Sequence, residues 1–141
     1  MKKNAIIFGS SGGLGLSFFN YLNKNNYNLI LTTNSKNFNY LKKKFKSNFS
    51  NKIFIKKCNF ESEKSIINLI KFAVKKIGEP DLIINTCGIF YYDKLNNFSY
   101  NKALKTFKIN ALSTVILNKE IYKIKKKKLT KIISIGSSSA L

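Results

Sequence analysis

Five short, uninterrupted apolar runs punctuate the chain: Ala5–Phe8, Leu29–Leu31, Ile53–Ile55, Leu82–Ile84 and Ile132–Ile135. A strand with one wet face alternates polar and apolar residues, whereas a strand covered on both faces is apolar throughout. Helical stripes lie between the runs. Leu14, Phe18, Tyr21 and Leu22 recur at helical spacing before a polar stop, and Leu41 with Phe45 marks a weaker helix. Ile66, Ile67, Ile70, Ala73, Val74 and Ile77 form the cleanest stripe, ended by Gly78 with Pro80 beyond it. Leu104, Phe107, Ala111, Leu112, Val115 and Ile116 predict one long helix whose apolar arc is wider than contact with a sheet requires. The β-α-β-α-β-α-β-α-β order predicts an α/β fold, a doubly wound parallel sheet of five strands forming one domain over residues 1–141.

Charge and composition remove several functions. The 141 residues include 26 lysines, six acidic residues, no arginine and no histidine, for a formal charge of +20. Without imidazole there is no histidine metal site, no Ser–His–Asp triad and no Cys–His pair, and no metal is expected. A lysine-rich surface attracts polyanions, but the absent arginine is the usual bidentate reader of guanine and phosphate. Lys, Asn, Ile, Phe and Tyr share A/T-rich codons, so a nucleotide bias in the gene accounts for the profile, and no specific nucleic-acid partner is expected. The run Lys125–Lys128 reads as a solvated helix end. Cys58 and Cys87 read as small core residues of a reducing compartment. No apolar run reaches eighteen residues and the N-terminus lacks a signal-peptide pattern, so a cytoplasmic protein without a membrane partner is expected.

The segment Gly9-Ser10-Ser11-Gly12-Gly13-Leu14-Gly15 runs off the first strand and into the first helix. Placement gives this stretch its weight. Glycine lets a backbone approach a pyrophosphate closely, and a helix N-terminus offers free N–H groups and positive dipole. Ser10 and Ser11 are expected to add hydroxyl donors. A P-loop is excluded, because no Lys-Ser or Lys-Thr follows the glycines.

The spacing of Gly9, Gly13 and Gly15 resembles the G-x-x-x-G-x-G motif of the short-chain dehydrogenase/reductase family. Gly9, Gly12 and Gly15 equally fit G-x-x-G-x-x-G, the pattern of an epimerase-like branch, and this segment leaves both open. Three later segments favour the first. Asn85-Thr86-Cys87-Gly88, after the fourth run, looks like the family's N-N-A-G motif with two substitutions. Phe107-Lys108-Ile109-Asn110-Ala111 is similar to the segment carrying the catalytic Asn, and Ile133-Ser134-Ile135-Gly136-Ser137 to the stretch ending in the catalytic Ser.

This resemblance implies a Rossmann-like domain of an NAD(P)-dependent oxidoreductase that transfers hydride between nicotinamide and a small carbonyl or alcohol. It implies catalytic roles for Asn110 and Ser137, with Ser138 as an alternative to Ser137. Cofactor contacts are implied at Gly9, Ser10, Ser11, Gly13, Leu14, Gly15, Thr33, Asn34, Asn59, Phe60, Asn85, Cys87 and Gly88. A carboxylate after the second strand would select NAD. Thr32-Thr33-Asn34-Ser35-Lys36 has none, so NADP is favoured over NAD.

The family's Tyr-x-x-x-Lys pair begins about a dozen residues past its catalytic Ser. Tyr40/Lys44 and Tyr122/Lys126 have the spacing but stand on the wrong elements. The chain is therefore expected to be an N-terminal fragment, inactive by itself and part of a homo-oligomer when whole. The alternative is a noncatalytic dinucleotide-binding module.

Overall fold

The computed structural model describes residues 2–34, 36–45, 52–92, 94–97, 99–124 and 129–136. The lysine run at 125–128 and both candidate serines, Ser137 and Ser138, lie outside them. The elements are β1 (Asn4–Phe8), α1 (Gly13–Lys24), β2 (Asn28–Thr33), α2 (Phe38–Lys44), β3 (Ile53–Lys57), α3 (Glu63–Ile77), β4 (Leu82–Asn85), α4 (Tyr100–Phe107), α5 (Ser113–Ile124) and β5 (Lys131–Ser134). A π-helical turn, Lys108–Leu112, joins α4 to α5.

All strand pairs are parallel, in the order β3-β2-β1-β4-β5. The chain steps outward from β1 to β2 and β3, then returns to β1's other side for β4. This reversal opens a crevice where the connections leaving β1 and β4 diverge. Register sets Phe8 beside Asn85 and Thr33 beside Lys57, so the residues closing each strand meet at one edge of the sheet.

The continuous apolar runs feed two cores. Ile6, Phe8, Ile30 and Ile83 pack with Ile66, Ile70, Ala73, Leu117 and Ile121 on the face covered by α3 and α5. Ala5, Ile7, Leu29, Leu31 and Ile84 pack with Phe19 and Leu22 on the face covered by α1. Successive residues of a strand belong to opposite cores, which is why its sequence has no polar alternation. At the far edge of the sheet Asn4 donates its backbone N–H to Asp81 Oδ2 at 2.8 Å and its side-chain amide to Glu79 O at 3.2 Å.

Three expectations change on folding. Helix α1 buries Gly15, Phe19 and Leu22, while Leu14 and Tyr21 are 56% and 66% exposed. A glycine therefore takes the first place on the buried stripe, and a scan for large apolar residues passes over it. The predicted single long helix is broken by the π turn, leaving Phe107 and Val115 60% and 62% exposed while Leu117 and Ile121 are buried. Finally, β5 is not covered on both faces; as an end strand of the described sheet it leaves Ile133 42% exposed. Helix α3 follows its pattern, with Ser62 Oγ capping Ser65 N–H and Gly78 ending it at φ +86°.

Candidate functional site

The turn after β1 gives each residue a separate task. Gly9 has φ +77°, and a Cβ there would stand 2.7 Å from Thr86 Oγ1. A Cβ on Gly15 would collide with Gly9 O and the Ser10 backbone, so α1 packs against the turn only with glycine at that position. Nothing lies within 4 Å of a Cβ built on Gly13, which faces open space with the exposed Leu14 at the head of α1. Gly12 is the N-cap and has no side chain to satisfy the first N–H groups of the helix.

The two serines diverge. Ser10 is fully buried; its Oγ donates to Ile7 O at 2.7 Å and accepts Thr32 N–H at 3.0 Å, and its own N–H donates to Thr32 O at 2.9 Å. Its hydroxyl thus staples the turn to the end of β2. Ser11 Oγ accepts from Thr33 Oγ1 at 3.0 Å and from Asn37 Nδ2 at 3.2 Å. With both lone pairs occupied, its O–H proton is directed away from these partners.

The end of β4 carries a second polar network. Thr86 Oγ1 donates to Phe8 O at 2.7 Å and holds the two strand ends together. Asn85 is buried, accepting Cys87 N–H at Oδ1 (3.0 Å) and donating from Nδ2 to Thr114 Oγ1 (3.0 Å). It braces the loop against α5 through these two bonds. Asn110, in the π turn, clips the same loop through both backbone groups of Ile89. Its Oδ1 accepts Ile89 N–H at 2.9 Å and its Nδ2 donates to Ile89 O at 2.8 Å. A π turn adds one residue to the helical circuit and re-aims the side chains within it, a distortion frequent at functional sites.

These loops enclose a cleft of about 750 Å³, within the range of small-molecule sites. Gly9, Ser11, Thr33, Asn34, Asn59, Phe60, Cys87 and Gly88 line it. Ser10, Gly13, Leu14, Gly15, Asn85 and Asn110 support its walls or stand beside it. Thr86, from the Asn85–Gly88 motif, also lines it, as do Lys57 and Lys105, which no motif singles out. Phe60 packs edge-on against Phe8 with centroids 4.9 Å apart, and Asn59 Oδ1 accepts Glu61 N–H at 3.0 Å to turn the loop after β3.

Charge in the cleft is uneven. Lys36, Lys57 and Lys105 face a single carboxylate, Glu61. Lys105 pairs with Glu61 at 3.2 Å, and this hydrogen bond holds the ammonium above its ordinary range. Burial pushes the Cys58 thiol up to about 11 and the Cys87 thiol up to about 12, so neither is a nucleophile near neutral pH. Tyr40 and Lys44 touch at 3.2 Å on α2 but do not line the cleft.

A dinucleotide fits this arrangement. The uncapped helix end and the open space at Gly13 suit a pyrophosphate. Among the described residues, Thr32 Oγ1 is the buried side-chain polar atom without a partner, and Thr32 borders the same cleft.

Residues 3–141 match the family model described as short chain dehydrogenase. The chain belongs to the short chain dehydrogenase family. It is 29% identical over 116 residues to the diacetyl reductase ((S)-acetoin forming) of Staphylococcus epidermidis, covering 82% of this chain and 45% of that protein. Its fold matches a short-chain dehydrogenase/reductase from Serratia marcescens with a TM-score of 0.84 at 18% identity, covering 98% of this chain and 56% of the other. It also matches the protein ElxO with NADP bound, with a TM-score of 0.84 at 27% identity, over 97% of this chain and 56% of the other. The chain thus spans about half the length of these proteins. Within the described residues the turn after β1 and the loop after β4 line one cleft, joined by the Thr86 bond to Phe8 O, and Asn110 clips the second loop at Ile89.

Proposed function

We propose that this chain is the dinucleotide-binding part of an NADP-preferring oxidoreductase acting on a small carbonyl or alcohol. One observation carries the reading. The cleft at the β1/β4 crossover combines a glycine-built turn under an uncapped helix with a β2–β3 end that presents lysines and no unpaired carboxylate. A bound nicotinamide dinucleotide would supply or take up the hydride. The N-terminal amides of α1 would hold its pyrophosphate, Ser11 and Thr33 its ribose, and Phe60 with Asn59 its adenine edge. Ser137 would position the substrate oxygen by hydrogen bonding, and Asn110 would fix the Ile89 loop beside it. NADP in ElxO and the small dicarbonyl named for the Staphylococcus enzyme support cofactor and substrate class.

Residues 1–141 alone bind the dinucleotide without turnover. The tyrosine that the family uses as acid or base stands past the position of Ser137, and no tyrosine lines the described cleft. The exposed apolar arc around Phe107 and Val115 is where the whole protein would meet a second copy.

Calorimetric titration of the 141-residue chain with NADPH and with NADH tests this reading. NADPH should bind about tenfold more tightly, a difference of one charge-assisted contact. Absence of binding to both, or tighter binding of NADH, would overturn it.

A further inference from the structure

The family motifs assign no role to Lys57, the last residue of β3. In register it lies beside Thr33, so both side chains leave the sheet on the same face. That face also holds Ser11, whose Oγ accepts from Thr33 and from Asn37. Lys57 Nζ stands 4.9 Å from the centroid of Phe38, the first residue of α2. A ring beneath an ammonium places the charge without neutralising it, which a carboxylate partner would do. Lys42 lies 5.3 Å from the same ring but does not line the cleft. Lys105, the third lysine of the cleft, is neutralised by Glu61. Uncompensated positive charge in the cleft therefore gathers at Lys57 and Lys36, next to a hydroxyl pair at the end of β2.

We propose that Lys57, held over Phe38, is the cation that seats a phosphate on the adenosine ribose and so sets cofactor preference. This rests on the dinucleotide reading above and adds to it a residue from β3, where the sequence after β2 alone had been taken to decide. Lys36, on the turn between β2 and α2, is the accessory cation. Lys57 is the better placed of the two, because the ring fixes its ammonium.

Competition between adenosine 2′,5′-bisphosphate and 5′-AMP for the chain isolates this contact from nicotinamide binding. The parent chain should favour the bisphosphate about tenfold, and Lys57→Gln should remove most of that ratio while leaving 5′-AMP affinity within about twofold. Lys57→Arg should retain it, Lys36→Gln should lose less, and Phe38→Leu should weaken only the bisphosphate. An unfolding curve for each variant confirms that the fold is kept. If Lys57→Gln preserves the ratio, the assignment of Lys57 is overturned while the preference for NADP stands. If the parent chain itself shows no ratio, both readings fail.

Discussion

Glycine means different things at neighbouring positions of the β1–α1 turn, and one methyl group tells them apart. At Gly9 a side chain meets both a positive φ and Thr86 Oγ1; at Gly13 it meets open space. Gly9→Ala should lower unfolding free energy by about 1–2 kcal/mol, from the left-handed backbone alone, with steric displacement of Thr86 added. Gly13→Ala should be neutral or stabilising by up to about 1 kcal/mol, since alanine is the better residue in a helix. Urea unfolding of both variants checks the contrast, and equal losses would contradict it. The motif spacing was legible in the sequence, but the division of labour within it was not. Ser10 and Ser11 are adjacent and chemically identical, yet one hydroxyl is consumed by Ile7 and Thr32 while the other lines the cleft. Only the position of β2 beside the turn separates them.

Among elements, the strands were the most legible, because burial on two faces leaves an apolar run too short for a helix and bounded by polar turns. Helix faces were less so. The stripe on α1 includes Gly15, and the segment from Tyr100 to Ile124 changes geometry halfway. No residue pattern announces a π turn, since its extra residue is stabilised by tertiary contacts. Here those contacts include the two Asn110 bonds to Ile89. Asn110→Ala should therefore cost about 1 kcal/mol of stability, modest because the site is exposed, and should speed hydrogen exchange at the Ile89 amide. Unchanged exchange at Ile89 would show that the clip does not hold the loop.

Across the whole molecule, the arrangement of charge and of sheet edges dominates behaviour. Glu61 and Glu63 pair with Lys105 and Lys119 where α3 and its preceding loop meet α4 and α5, and Glu120 pairs with Lys123 within α5. The remaining excess of lysine keeps the surface strongly cationic, and like charges repel across it. Against that repulsion stands β5, an end strand with Ile133 exposed, which presents backbone donors and acceptors to another chain. Ile133→Lys should reduce light scattering of concentrated solutions and cost about 1–2 kcal/mol of unfolding free energy, because the side chain is more than half covered in the sheet. Persistent scattering would place self-association elsewhere, with the apolar arc around Phe107 and Val115 the next surface to test. Among the described residues no helix is long and apolar enough to cross a membrane.

The order of strands and helices, the parallel sheet and the family followed from linear pattern, because apolar runs, helical stripes and glycine spacing are all local properties of the chain. The cleft did not. Its walls come from Gly9 and Thr86, from Thr33 and Lys57, and from Glu61 and Lys105, pairs that are distant in sequence and meet only when β3 pairs with β2, β4 returns to the other side of β1 and α4 reaches the loop before α3. Tertiary structure alone decided that Asn85 braces a helix, that Ser10 closes a turn and that Lys57 faces the cleft. Each of those roles depends on which partner stands within hydrogen-bonding or ring-contact distance, and the partner is chosen by the topology of the sheet.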